Sequence, residues 1–243
     1  MNITTKPFEY MDGKTKCIGY IAWDESYHDP KPCVMVGHAW GGLDNFAENK
    51  AIQMAAQGYV GFAIDVYGNG QRGETQSENQ ALMTPFIQDR KMLLKRLKAA
   101  YKAAQNLDQV DENAVAMMGF CFGGLCTLDL ARSGLDLAVA ISFHGLFGAN
   151  DLPPKKIKAS VLALHGWDDP MVPPNDVSAL GMELTKAKCD WQIHAYGGTS
   201  HAFMVEDAND PKNGVKYNAR AERRAWTAAL DLLSEKFTHH GVG

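Results

Sequence analysis

A cysteine sits in the middle of Gly119-Phe120-Cys121-Phe122-Gly123-Gly124, and its neighbours decide what the thiol can do. The apolar run Val115-Ala116-Met117-Met118 precedes this stretch, and residues 125–132 after it read as a helix. A strand, a tight turn and a helix would hold one side chain at the tip. The pattern is small-x-nucleophile-x-small, with Cys where Ser is usual. Glycine is needed on both flanks because a sharp strand-to-helix turn leaves no room for Cβ atoms. The helix start aims backbone N–H groups and a partial positive charge at the thiol, favouring thiolate and any oxyanion beside it. A cysteine on an apolar segment is by itself ordinary core, so two further groups are needed before it counts as a nucleophile.

A thiol nucleophile needs a base, and the base needs an orienting carboxylate. One of the known chain orders for such triads is nucleophile, acid, histidine. Downstream of Cys121 lies His165-Gly166-Trp167-Asp168-Asp169-Pro170-Met171-Val172-Pro173, rich in turn residues after an apolar run. Asp168 and Asp169 compete for the role of acid. The Val-Pro that follows and the spacing from His165 favour Asp169, although Asp-Asp-Pro is also a common turn. Next comes Gly197-Gly198-Thr199-Ser200-His201-Ala202-Phe203. A histidine after a Gly-Gly turn, between the last strand and the last helix, is well placed as a base. His38 and His165 sit at strand ends, His144 on the strand after the helix that follows Cys121 (the elbow helix) and His194 within a strand pattern. His239 and His240 lie in the tail. Cys121, Asp169 and His201 are the expected catalytic set.

The elements that must position these residues alternate along the chain. Residues 17–23, 33–37, 60–65, 115–118, 137–143, 161–165 and 191–195 read as strands. Residues 45–57, 85–105, 174–186 and 219–237 read as helices, and residues 67–79 as a polar loop. The 85–105 helix carries an apolar stripe of Leu93, Leu97, Ala100, Tyr101 and Ala104, with Lys91, Lys95, Lys98 and Lys102 on its solvated face. The last helix presents Trp226, Leu230, Leu233 and Phe237 at core spacing. Strands separated by helices predict an α/β fold, a mostly parallel sheet with helices on both faces. Ligands in such sheets bind beyond the carboxyl ends of the strands, where the elbow falls.

The bulk numbers narrow the classes. The chain has 243 residues, 46% of them hydrophobic, which suits one domain with a sizeable core. A net charge of −4 gives no broad attraction to nucleic acid or anionic membrane. No apolar run approaches the roughly 20 residues of a membrane span, and the first residues lack a signal-peptide core. The five cysteines are odd in number and scattered, which predicts reduced thiols in the cytoplasm. The eight histidines lack a metal-binding spacing and no dinucleotide fingerprint is present, so neither metal nor cofactor is expected.

The chain resembles the dienelactone hydrolase (carboxymethylenebutenolidase-like) family of the α/β-hydrolases. The resemblance rests on Gly-Phe-Cys121-Phe-Gly-Gly, Asp169-x-x-Val-Pro and His201-Ala-Phe. Asp65-Val66-Tyr67-Gly68 and the stretch from Tyr217-Asn218-Ala219 to Trp226 add to it. It implies an α/β-hydrolase fold, with Cys121 as nucleophile, Asp169 as acid and His201 as base. It also implies an oxyanion hole made by the backbone N–H groups of Phe122 and Trp40. The expected activity is hydrolysis of a small carboxylic ester or lactone through a thioester.

Two positions depart from the family pattern. Ala39 stands where the family usually has a glutamate that contacts the resting thiol, and Val205, followed by Glu206, where an arginine holds a substrate carboxylate. Trp40, Phe122, Trp167 and Met204 are candidates for an apolar pocket wall, and Arg72 and Arg90 for a replacement cation. These departures predict a neutral ester or lactone over anionic dienelactone. The rivals are a catalytically silent binding module and a thiol redox protein using Cys121 and Cys126. Five residues on a helix place those two about 140° apart, which opposes a disulfide.

Overall fold

The computed structural model describes residues 1–237, so His239 and His240 lie outside the described residues. The chain divides into two compact units, Met1–Met118 and Gly119–Gly243. Eight of its strands make a mostly parallel sheet.

The first unit opens with β1 (Ile3–Asp12) and β2 (Thr15–Asp24), an antiparallel hairpin in which Asp12 pairs with Thr15 across a two-residue turn. Gly13 takes φ +60° in that turn, a conformation glycine adopts without Cβ strain. The sequence reading has no β1, although Asp12-Gly13 is a hairpin signal. Then follow β3 (Lys31–Gly37), α1 (Asn45–Ala56) and β4 (Val60–Ile64), with β3 and β4 parallel. Within this unit the strands run in the order β1-β2-β4-β3-β5, where β5 (Val110–Phe120) reaches into the second unit's first residues.

The expected single helix over 85–105 is two helices, α2 (Gln76–Gln88) and α3 (Arg90–Gln105). Thr75 and Glu78 form a capping box that starts α2 inside the expected loop. Asp89 leaves helical geometry and its carboxylate accepts Met92 N–H, so it caps α3. The α3 stripe of Leu93, Leu97, Ala100, Tyr101 and Ala104 is buried.

The second unit holds α4 (Phe122–Arg132), β6 (Val139–Phe143), β7 (Ser160–Gly166), α5 (Pro174–Ala187) and β8 (Trp191–Tyr196), with β6, β7 and β8 parallel. A short pair, β9 (Asn209–Asp210) and β10 (Val215–Lys216), precedes α6 (Ala219–Phe237). On α6 the buried face is Ala221, Ala225, Ala229, Leu232, Leu233 and Phe237. Trp226 and Leu230 are only half-buried, so the face is rotated from the expected one. A stripe of small alanines lets the helix backbone approach its neighbours closely, and large side chains at the edge then seal the seam.

Candidate active site

The nucleophile candidate is positioned by steric necessity. Cys121 sits between β5 and α4 with φ +56° and ψ −115°, a strained conformation for a residue with a Cβ. Such backbone costs on the order of 1–3 kcal/mol and persists only where its surroundings enforce it. Here Cys121 N–H donates to Phe143 O at 3.1 Å, and Cys121 O accepts Gly124 N–H at 3.0 Å. A Cβ at Gly119 would meet Gly123 O at 2.0 Å, and one at Gly124 would meet Gly145 Cα at 2.6 Å. Helix α4 starts immediately after Cys121, so its first N–H groups and positive end face the thiol.

The acid and base candidates meet. His201 Nδ1–H donates to Asp169 Oδ2 at 2.7 Å, with both residues buried. The other carboxylate oxygen of Asp169 accepts Met171 N–H at 2.9 Å. Asp168 is exposed, and its N–H donates to Thr199 O at 2.9 Å. The acid loop and the histidine loop come together because Gly166 has no side chain. A Cβ there would lie 2.5 Å from Thr199 O and 2.6 Å from Ser200 O.

The His201 backbone is clamped as well. Its N–H donates to Gly214 O at 2.9 Å, and its carbonyl accepts Lys216 N–H at 3.0 Å. Sequence reasoning missed this clamp, built from β10 and the turn before it. Asn213-Gly214 was the available signal, and Gly214 does take φ +70°.

The electrostatics link His201 to Cys121. Burial works against a charged imidazole, but the Coulombic pull of Cys121 and the hydrogen bond and charge of Asp169 outweigh it. The His201 pKa is pushed up to about 10.

Two more buried histidines surround the pair. His144 rings edge to face with His201 at 5.2 Å. His165 is fully buried against Phe147, and burial holds its pKa below the usual histidine value while Asp169 opposes that shift. Sequence reasoning placed His165 at a strand end and His144 on the strand after the helix that follows Cys121, and gave neither a role.

The remaining candidates fall in both units. Phe122 is the first residue of α4, so its N–H belongs to the helix start. In the first unit, Trp40 is half-buried in the turn after β3, and its carbonyl accepts Tyr67 O–H at 2.7 Å. The loop after β4 that carries Tyr67 is braced by Asp65, whose carboxylate accepts the N–H groups of Ile18, Gly68 and Gly70. Arg72 is exposed and paired with Glu48 at 3.0 Å, and Arg90 opens α3. In the second unit, Trp167 is 46% exposed, whereas Met204 is 1% exposed and belongs to the core. Val205 is half-buried and Glu206 exposed. Among the described residues, no helix is long and apolar enough to cross a membrane, and no group of three or more His, Cys, Asp or Glu residues could hold a metal ion.

Comparison with known proteins places the chain in a family. The dienelactone hydrolase family model matches residues 18–237. A dienelactone hydrolase-like promiscuous phosphotriesterase from metagenomic libraries has a similar crystal structure, with a TM-score of 0.91 and 35% sequence identity, covering 97% of this chain and 99% of that one. Protein usf of Aquifex pyrophilus is 27% identical over 241 residues, covering 95% of this chain and 98% of its own. The dienelactone hydrolase of Anabaena variabilis shares the fold, with a TM-score of 0.66 at 19% identity over 98% of this chain and 99% of that one. With a family match across both units and a relative of 35% identity along almost the whole length, the chain belongs to the dienelactone hydrolase family of α/β-hydrolases, as a carboxylic ester or lactone hydrolase.

Proposed function

We propose that this hydrolase cleaves a neutral or weakly polar ester or lactone with Cys121, His201 and Asp169, through a thioester. The observation that carries the reading is a single imidazole held on one side by Asp169 at 2.7 Å and charge-coupled on the other to Cys121. The thiolate attacks the substrate carbonyl carbon, a C–S bond forms, and the carbonyl electrons move to oxygen. The Phe122 N–H, at the start of α4, donates to that oxyanion. Each such donor is worth about 3 kcal/mol in the transition state. As the C–O bond breaks, the imidazolium passes its proton to the leaving alkoxide. A water then attacks the thioester carbonyl, His201 takes its proton, and the thiolate leaves. Asp169 holds the ring and balances its charge throughout.

The test is hydrolysis of an aryl acetate by the intact protein and by Cys121→Ala. Turnover lost in the variant, with an acetyl group trapped on Cys121 by mass spectrometry in the parent, supports the reading. Full activity in Cys121→Ala sinks it, and inactivity of both toward a broad panel of esters and lactones favours a binding module. A second reading, hydrolysis of neutral phosphotriesters by the same thiolate, is favoured by the 35% identity to a promiscuous phosphotriesterase. An aryl dialkyl phosphate in the same assay decides it.

A further inference from the structure

We infer that His144 is a positioning residue, whose ring sets the plane of the His201 imidazole so that the base faces Cys121. The inference rests on the triad reading above. One hydrogen bond, from Nδ1 to Asp169, fixes a single point of the His201 ring. The Cβ–Cγ bond holds a second point, yet coupled changes in the two side-chain torsions can still tilt the ring, and tilting redirects Nε2. A second contact, on the ring itself, removes that freedom.

His144 supplies it. Its ring meets His201 edge to face, at 5.2 Å and 69°, and meets Phe203 in the same manner, at 5.3 Å and 77°. Phe120, the residue before the nucleophile, lies 6.0 Å away on another side. These separations and angles are those that aromatic quadrupoles favour. Phe203 is in turn edge to face with Tyr196, so the His144 ring is held by a row of rings.

The backbone under His144 is tied to both the nucleophile and the acid. His144 follows Phe143, whose carbonyl accepts Cys121 N–H at 3.1 Å. Its own N–H donates to Leu164 O at 2.8 Å, on the strand that leads to Asp169. To satisfy both ties His144 adopts φ +36°, although it is no glycine and is 1% exposed. Five non-glycine residues have positive φ among the described residues, and Cys121, His144 and Ala202 are three of them, at the nucleophile, against the base and next to the base. Strain that clusters in this way marks a geometry held for function.

The experiment uses two variants with opposite merits. His144→Asn keeps a residue that tolerates positive φ but removes the ring. His144→Phe keeps the ring and removes the nitrogens. His144→Asn is expected to lower kcat for an aryl acetate roughly tenfold to a hundredfold with KM nearly unchanged, the size of loss that misplacement by about 1 Å produces. His144→Phe is expected to stay within about threefold of the parent, because edge-to-face packing survives. The downfield proton resonance of the His201–Asp169 hydrogen bond should shift or broaden in His144→Asn and persist in His144→Phe. If His144→Asn folds poorly, His144→Leu fills the volume without an aromatic edge and carries the same expectation. Parent-like kcat in the ringless variant overturns the inference, as does equal impairment of the Asn and Phe variants. Failure of the triad reading is distinguishable, since Cys121→Ala would then remain active whatever happens at position 144.

Discussion

His201 carries a proton where an isolated histidine would have lost it, and that sets the pH behaviour expected of the enzyme. Its pKa is raised to about 10, with burial opposing the rise and Cys121 and Asp169 causing it. In the proposed mechanism the imidazolium donates the proton to the leaving alcohol, so kcat/KM should fall as pH rises through about 10. Removing the Asp169 charge removes one cause of the rise. In Asp169→Asn the alkaline limb should therefore move to lower pH, in addition to a loss of rate, and a pH–rate profile that keeps its alkaline limb in place would contradict this. The same shift has a stability consequence. A histidine whose folded pKa exceeds its unfolded value of about 6.5 stabilises the fold fully below that value, and the contribution disappears as pH rises through about 10. Urea midpoints at pH 7 and pH 10.5 should therefore converge in His201→Gln relative to the parent. The proposed triad of Cys121, Asp169 and His201 could be put forward from the sequence because glycine, proline and chain order mark those positions. His144 could not, since its place depends on a backbone angle and on rings contributed by residues 120, 201 and 203.

Elements meet where side chains are missing or fully paired, and both cases yield tests. Gly166 ends β7 against the carbonyls of Thr199 and Ser200. Gly166→Ala should push the histidine loop away from Asp169, lowering kcat tenfold or more and costing about 1–3 kcal/mol of stability from overpacking. Thermal melts read beside initial rates check both, and an unchanged rate would mean that the loop adjusts freely. On the far part of α4, Arg132 binds Asp129 at 3.2 Å and Glu183 at 2.7 Å, and also donates to the carbonyls of Phe147 and Gly148. Asp129 is fully buried and also accepts Asn150 Nδ2–H at 2.7 Å. Arg132→Met leaves a buried carboxylate without its cation, a change that costs about 3–5 kcal/mol. At about 2–4 °C per kcal/mol for a chain of this size, the Tm should drop by roughly 6–20 °C, with aryl acetate turnover at 25 °C retained. Periodicity identified the helices that pack one strong face, as Leu93 and Leu97 show on α3. It failed where local chemistry overrode the pattern, at the Asp89 break and at the Ala221-Ala225-Ala229 stripe, whose small residues carry little hydrophobic signal.

At the scale of the whole molecule, the charge inventory argues for substrate class. The net charge is −4, so the protein's field gives an anionic substrate no steering. Val205 stands where the family pattern has an arginine for a carboxylate, and Glu206 beside it is exposed and acidic. Arg72 could serve instead, but it is paired with Glu48 at 3.0 Å, and recruiting it would require breaking that pair. Burying a substrate carboxylate without a cation costs several kcal/mol, which corresponds to more than a hundredfold in rate for an otherwise equal substrate. A neutral lactone should therefore exceed dienelactone in kcat/KM at low salt. Arg72→Ala and Arg90→Ala should leave that ratio within a factor of two, because neither guanidinium is expected to hold the substrate. A tenfold preference for dienelactone that disappears in Arg72→Ala or Arg90→Ala would assign the carboxylate site to that arginine and return the family's own substrate to this enzyme.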